Sequence, residues 1–321
     1  MRRRSSTHLS RAVAQRTVPA DIKQGAGMMK KQRVRRGLRV SAVLALGMAA
    51  ASASAGAPPE WTAATAPFHV VDNVYYVGTE GLAAYLIVSP QGAILLDAPL
   101  ASNAEQIERN IESLGVPLRD VRLLISSHAH ADHVGAMAAL KRDSGARYLA
   151  SAGDRWALEN GRNQGDNNYG VMPFAPIKVD EVVADGQKIR LGEVELTAHL
   201  TPGHSPGCTS WSMTVNDRGS ARELMFLCSL TVAGNTLIGN RSYPAIADDF
   251  RASFAKLAAM HADIVLTGHP GTADVLERQA RREDGDADAF VDAGLLSRLV
   301  STSKADFEAA LSEASAAEQK R

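Results

Sequence analysis

Short apolar or alternating runs, each broken by Gly, Pro or Asn, fill the chain from Trp61 to Asp97. Phe68–Val71, Val74–Val77, Ala83–Val88 and Ala93–Leu96 read as strands. Helical spacing follows from Asn103 to Leu114, with Ser102 or Asn103 placed to cap it. The apolar, β-branched run Val121 to Ile125 reads as a buried strand, and Val134 to Lys141 as a helix. Ser151 to Pro176 is irregular and rich in Gly and Asn, the composition of a surface loop. Strand patterns return over Val182 to Leu200, with a turn at Gly192-Glu193, and over Thr209–Val215 and Leu224–Cys228. An amphipathic helix over Asp248 to Met260 (Phe250, Phe254, Leu257, Ala258) precedes the apolar run Ile264–Leu266. Helices then extend from Ala273 to about Ala314, broken near Gly285-Asp286 and fraying from Ala309. Strands thus come in two batches, each followed by helices. That order predicts an α/β fold: two mixed sheets packed face to face with helices outside, an αββα sandwich of two similar halves. It forms one domain over 56–321, with no linker and no short-period repeat.

Composition changes this picture at one end. The 321 residues are 45% apolar and carry 35 Lys/Arg against 35 Asp/Glu, but the balance is uneven. Residues 1–55 hold twelve basic residues and one acid, Asp21, which leaves the remainder at a net charge of −11. So acidic a body lacks the basic surface that phosphate backbones need, which argues against nucleic acid as the main partner. The basic stretch Lys30-Lys31-Gln32-Arg33-Val34-Arg35-Arg36, the apolar core Val40 to Ala51 and the small residues Ala53-Ser54-Ala55 read as an export signal. The core is too short to span a bilayer. Gly56 is the expected mature start, with cleavage after Ala53 as the neighbouring alternative. Translation from Met28 or Met29 would trim the featureless residues before it. A periplasmic protein, not stably inserted in the membrane after cleavage and monomeric by default, is expected.

The chemistry concentrates in His128-Ala129-His130-Ala131-Asp132-His133, four metal-capable side chains within six residues, directly after a strand. Histidines at i and i+2 of extended chain project to the same side. Asp132 and His133, where the chain turns into a helix, can point elsewhere, which suits two neighbouring metals. Imidazoles with a carboxylate match a catalytic zinc site with open positions. Two later stretches, Thr201-Pro202-Gly203-His204-Ser205-Pro206-Gly207 and Thr267-Gly268-His269-Pro270, each place a His after a strand-like run. Six ligands in all can hold two zinc ions. His69, His199 and His261 lack such loops and read as structural, His199 being the nearest competitor of His204.

The HxHxDH motif with the later Gly-His loops resembles the metallo-β-lactamase superfamily. Closer detail resembles its subclass B3 lactamases: Asp72-Asn73-Val74-Tyr75-Tyr76-Val77-Gly78, Ile94-Leu95-Leu96-Asp97, Gly203-His204-Ser205-Pro206-Gly207-Cys208-Thr209-Ser210-Trp211 and Cys228-Ser229-Leu230-Thr231-Val232-Ala233. The resemblance spans Trp61 to about Phe307. It implies one zinc on His128, His130 and His204 and a second on Asp132, His133 and His269. It further implies hydrolysis of β-lactam antibiotics by a zinc-activated hydroxide that Asp132 orients, without a covalent intermediate, giving antibiotic resistance. Asp97 would support the metal loop, Ser229 and Thr231 would bind the substrate carboxylate, and the 151–176 region would border the substrate groove through Trp156, Asn163, Tyr169 and Phe174.

Cys208 and Cys228, the only cysteines, could pair in an oxidising compartment. The competing role, zinc ligation by Cys228, is disfavoured. In one lactamase subclass a Cys in this region is a ligand, but Ser229 takes that place here, and a one-residue offset on a strand faces Cys228 the other way. The rival function is a lactonase or thioesterase of the same superfamily. Those enzymes typically bring a bridging Asp where this chain has Ser229. A non-catalytic zinc-binding protein is a third reading, disfavoured by the intact ligand set.

Overall fold

The computed structural model describes residues 57–320; the expected export signal and cleavage site lie outside them. The first half is built from β1 (Phe68–Val71), β2 (Val74–Tyr76), β3 (Tyr85–Ser89), β4 (Gly92–Leu96), α1 (Ala104–Ser113), β5 (Val121–Ile125), α2 (Ala131–Val134), α3 (Met137–Ser144), β6 (Arg147–Ser151), α4 (Ala152–Asn160) and β7 (Glu181–Val183). Its seven strands lie in sequence order. β1 to β4 form an antiparallel meander, and β4 to β7 run parallel. The second half contains β8 (Lys188–Leu191), β9 (Val194–Leu200), β10 (Thr209–Asp217), β11 (Ser220–Leu227), α5 (Ile246–Ala258), β12 (Ile264–Thr267), α6 (Val275–Glu283) and α7 (Leu295–Glu318). Its sheet has the order β12-β11-β10-β9-β8, with only β11 and β12 parallel.

Period-two alternation decides which layer each residue joins. On β4, Ile94 and Leu96 enter the core between the sheets, while Ala93 and Leu95 face the helices of the first half. On β11, Leu224 and Phe226 enter the same central core, and Met225 and Leu227 pack beneath α5 and α7. Three apolar layers result, and the architecture is the αββα sandwich of two mixed sheets. Parallel strands buried on both faces must be apolar throughout, which explains the unbroken Leu123-Leu124-Ile125 run. Among the described residues no helix is long and apolar enough to cross a membrane.

Strand β6 went unread, the Val182 to Leu200 region holds three strands divided between the two sheets, and three helical segments differ from the sequence reading. The helix expected over Val134 to Lys141 is broken, because Ala136 N–H bonds the carbonyls of Ala98 and Pro99 and interrupts the ladder between α2 and α3. The supposed loop from Ser151 begins with α4, whose Ala157 and Leu158 are fully buried. The terminus does not fray at Ala309. α7 continues to Glu318, anchored by Phe307, whose ring lies 5.0 Å from Phe250 and 5.7 Å from Phe254.

Candidate metal centre

Four strands deliver their following loops to one cleft. The segment after β5 carries Ser126 to His133, the β9–β10 loop carries His204, the segment after β11 carries Ser229 and Thr231, and β12 ends at Gly268-His269. Backbone and side-chain bonds lock these segments together. Thr209 N–H donates to Ser127 O at 2.8 Å, Trp211 Nε1 to Ser126 O at 3.1 Å, and Ala83 N–H to Gly268 O at 2.8 Å. Gly268 is required by closeness: a Cβ there would stand 2.4 Å from His133 Cε1.

The six residues singled out in the sequence form two groups. Ligand-capable atoms of His128, His130 and His204 lie within 4.8 Å of one another, as do those of Asp132, His133 and His269. The groups adjoin, with the His128 and His133 rings 4.0 Å apart between centroids. His133 Nε2 is 3.4 Å from His269 Nε2, and Asp132 Oδ2 is 3.2 Å from the same His269 nitrogen.

Hydrogen bonds select the nitrogen each ring offers. His133 donates from Nδ1 to Asp97 Oδ2 at 2.9 Å, and His204 from Nδ1 to Thr231 O at 2.8 Å, so both present Nε2. Buried His128 Nε2 and His130 Nε2 have no hydrogen-bond partner among the described residues. Buried polar atoms are rarely left orphaned, and a cation bound between these rings would satisfy both. Burial drives His128 well below its ordinary value, His130 down to about 3 and His204 to about 4, with neighbouring histidines adding to the effect. They are therefore neutral, the form that ligates. Burial pushes the Asp132 carboxyl up, but His133, a hydrogen bond from His269 and His130 outweigh it, so the group is held ionised. Burial lowers His133, while Asp132 and Asp97 raise it, and the carboxylates win. The donor set fits zinc.

Asp97 is fully buried, has φ 61°, and accepts from Ser127 N–H at 2.6 Å and Ser127 Oγ at 2.8 Å besides His133. Cys208 and Cys228 are joined in a disulfide, Cα–Cα 6.0 Å, linking the start of β10 to the end of β11. Neither sulfur is then a thiolate ligand, although Cys228 Sγ is 3.8 Å from His128 Nδ1. Ser229 and Thr231 line the cleft, their hydroxyls 3.0 Å apart.

The cleft, about 410 Å³, has an apolar wall that the sequence reading placed only in part. Of its four candidates, Tyr169 alone lines the cleft, its ring 6.2 Å from that of His130. Phe174 is buried in the core of the first half, and Trp156 is 45% exposed beneath Arg162 outside the cleft. Asn163 shapes the loop instead, donating to Gly170 O and accepting from Met172 N–H. Trp61, 5.7 Å from the His269 ring, and Leu299 and Ser303 of α7 complete the wall. No local pattern marks them, since they come from opposite ends of the described residues. Asp154, at the first turn of α4, was also missed; it sits behind the His128–His130 segment. His69, His199 and His261 bond Asp72 O, Ser212 and Asp263, away from the cleft.

A family model described as the metallo-beta-lactamase superfamily matches residues 78–269. Among solved structures, a subclass B3 metallo-β-lactamase of Bradyrhizobium japonicum is 42% identical, with TM-score 0.77, covering 81% of this chain and 98% of its own. A Cronobacter sakazakii metallo-β-lactamase described by an HARLDQ motif is 41% identical, with TM-score 0.75, covering 80% and 98%. A hydroxyacylglutathione hydrolase of Bradyrhizobium sp. is 31% identical over 209 residues, 64% of this chain and 69% of its own length.

Proposed function

The chain belongs to the metallo-β-lactamase superfamily, and from that membership we propose that it is a zinc-dependent hydrolase of the β-lactam amide bond in penicillins, cephalosporins and carbapenems. The observation that carries this reading is the pair of adjoining three-residue groups, five of whose six members line one cleft, with two buried ring nitrogens that no described residue satisfies. Two zinc ions, on His128, His130 and His204 and on Asp132, His133 and His269, would supply water activated at neutral pH and Lewis acidity toward the ring-opened nitrogen.

The chain's own groups do the rest. Asp132, held ionised, accepts a hydrogen bond from the attacking water and orients it. Ser229 and Thr231 donate hydroxyl hydrogen bonds to the substrate carboxylate. Trp61, Tyr169 and Leu299 offer apolar surface to the antibiotic's side chains and exclude water from the reacting bond. No Ser or Cys nucleophile is needed, so no acyl-enzyme forms. The proposal includes export to the periplasm, where this activity confers antibiotic resistance.

The likeness to a hydroxyacylglutathione hydrolase favours thioester cleavage as the second reading. Against it, the β11 end of the cleft presents the Ser229 hydroxyl where that class typically brings a bridging carboxylate. Turnover of a penicillin and a carbapenem by the zinc-loaded protein, with and without chelator, beside a thioester and a homoserine lactone, separates the two. Fast chelator-sensitive β-lactam opening is expected; slow β-lactam turnover with fast thioester or lactone cleavage transfers the substrate to the rival class. His130→Ala should lose one zinc and most turnover. Normal activity with both zinc ions bound would refute the ligand assignment.

A further inference from the structure

The two ligand groups are not supported alike. Asp97 serves the second group, through His133. Among the described residues no carboxylate is hydrogen-bonded to a ring of the first group, yet a second buried carboxylate lies behind it. Asp154 is 2% exposed, and among the described residues it forms no ion pair. Its Oδ2 accepts from Ala129 N–H at 2.9 Å and from Ser205 Oγ at 3.1 Å, and its Oδ1 accepts from Gly207 N–H at 2.9 Å. Ala129 sits between His128 and His130, and Ser205 directly follows His204.

We propose that Asp154 is the positioning residue of the first metal site, clamping the His128–His130 segment to the His204 loop so that three rings from two distant stretches converge. The inference rests on the two-metal reading above. Fixing the Ala129 N–H fixes the His128–Ala129 peptide plane, from which the His128 side chain projects, and sets the direction in which Ala129 leads on to His130. Fixing Ser205 and Gly207 sets the loop direction after His204. The clamp is tight at the backbone: a Cβ at Gly207 would stand 2.2 Å from Asp154 N, and one at Gly153 2.2 Å from Pro206 O.

The arrangement has a cost that packing alone does not explain. Burial pushes the Asp154 carboxyl up to about 6 despite bonds from Ser205, Gly207 and Ala129 that oppose it. An asparagine would avoid the buried charge but would turn its NH2 toward one of three donors. A carboxylate accepts all three, and charged acceptors make the stronger bonds.

The test isolates each site. In a His269→Ala background only the first site is complete, and in His204→Ala only the second. Zinc affinity, read by competition with a chromophoric chelator, should fall about 10- to 100-fold on adding Asp154→Asn in the first background. It should change less than twofold in the second. Asp154→Ala should lose more than Asp154→Asn, and Ser205→Ala, which removes one of three bonds, should lose less than tenfold at the first site only. Equal loss at both sites, or none at the first, overturns the proposal. If Asp154→Asn does not fold, Ser205→Ala decides by the same criterion. Failure of the otherwise unsubstituted protein to bind two zinc ions would instead sink the two-metal reading.

Discussion

Asp97→Asn tests how much of the second site is held by a residue that ligates nothing. Asp97 is fully buried and accepts three bonds, at 2.6 and 2.8 Å from Ser127 and at 2.9 Å from His133 Nδ1. Its φ of 61° lies in the left-handed region, which Asn tolerates at least as well as Asp. The substitution therefore changes acceptors with little backbone effect. An Asn side chain has one acceptor oxygen, so its NH2 must face either Ser127 N–H or the His133 ring donor. One buried donor left unpaired costs about 1–3 kcal/mol. For a domain of this size that lowers the melting temperature of the metal-free protein by roughly 2–12 °C. The zinc effect adds to this. His133 loses the acceptor that holds its proton on Nδ1, and second-site affinity should fall about 10- to 100-fold. Calorimetric melting of the metal-free protein and chelator competition measure the two effects separately. Unchanged melting with unchanged second-site affinity would refute the claim that Asp97 orients His133, and loss confined to the first site would refute the division of labour between Asp97 and Asp154.

Other outcomes follow from the same geometry. Cys208→Ser with Cys228→Ser opens a bridge between residues 20 apart and should cost about 3 kcal/mol in denaturant unfolding, with both zinc ions retained. Loss of a zinc would show that sulfur ligates. Arg278 is 3% exposed and donates to the carbonyls of Val265, Ala273, Ala289 and Phe290, so Arg278→Met should cost about 3 kcal/mol or more; a loss below about 1 kcal/mol would mean those carbonyls find other donors. In the metal-free protein, burial holds His128, His130 and His204 below the ordinary 6.5, so the unfolded chain binds more protons once pH falls under that value. Their stability contribution, full above pH 6.5, falls by about 2 kcal/mol per histidine by pH 5. Asp154 and His133, raised rather than lowered, oppose this but are fewer. The metal-free melting temperature should drop between pH 7 and pH 5, and a rise would contradict the burial assigned to these rings.

The candidate ligand residues and the family were legible locally. Metal chemistry needs particular side chains at short spacing, and His128 to His133 satisfies that within one loop, while His204 and His269 each stand in a Gly-marked turn after a strand. The αββα architecture was also legible, because alternation on β4 and β11 and unbroken apolar runs on parallel strands record which faces are buried. The cleft wall was not. That Trp61 meets the His269 ring and Leu299 lines the same cleft depends on how the first described turn and the last described helix dock, and no local period encodes a contact such as Trp61 with His269, more than 200 residues apart. Trp156 and Phe174 looked equally suited to that wall until packing turned one to solvent and the other inward. The cysteine pair needed the strand register of β10 and β11 to bring it together. Asp154 was hidden for the same reason: an Asp on a helix has no signature of its own, and its role exists only because tertiary folding brings Ala129, Ser205 and Gly207 to one carboxylate. Sequence determined which atoms could ligate and which faces must be buried, since both are properties of residue type and spacing. Tertiary structure alone decided which groups orient the ligands and wall the cleft, because those depend on donors and surfaces from distant segments meeting within hydrogen-bond or van der Waals reach.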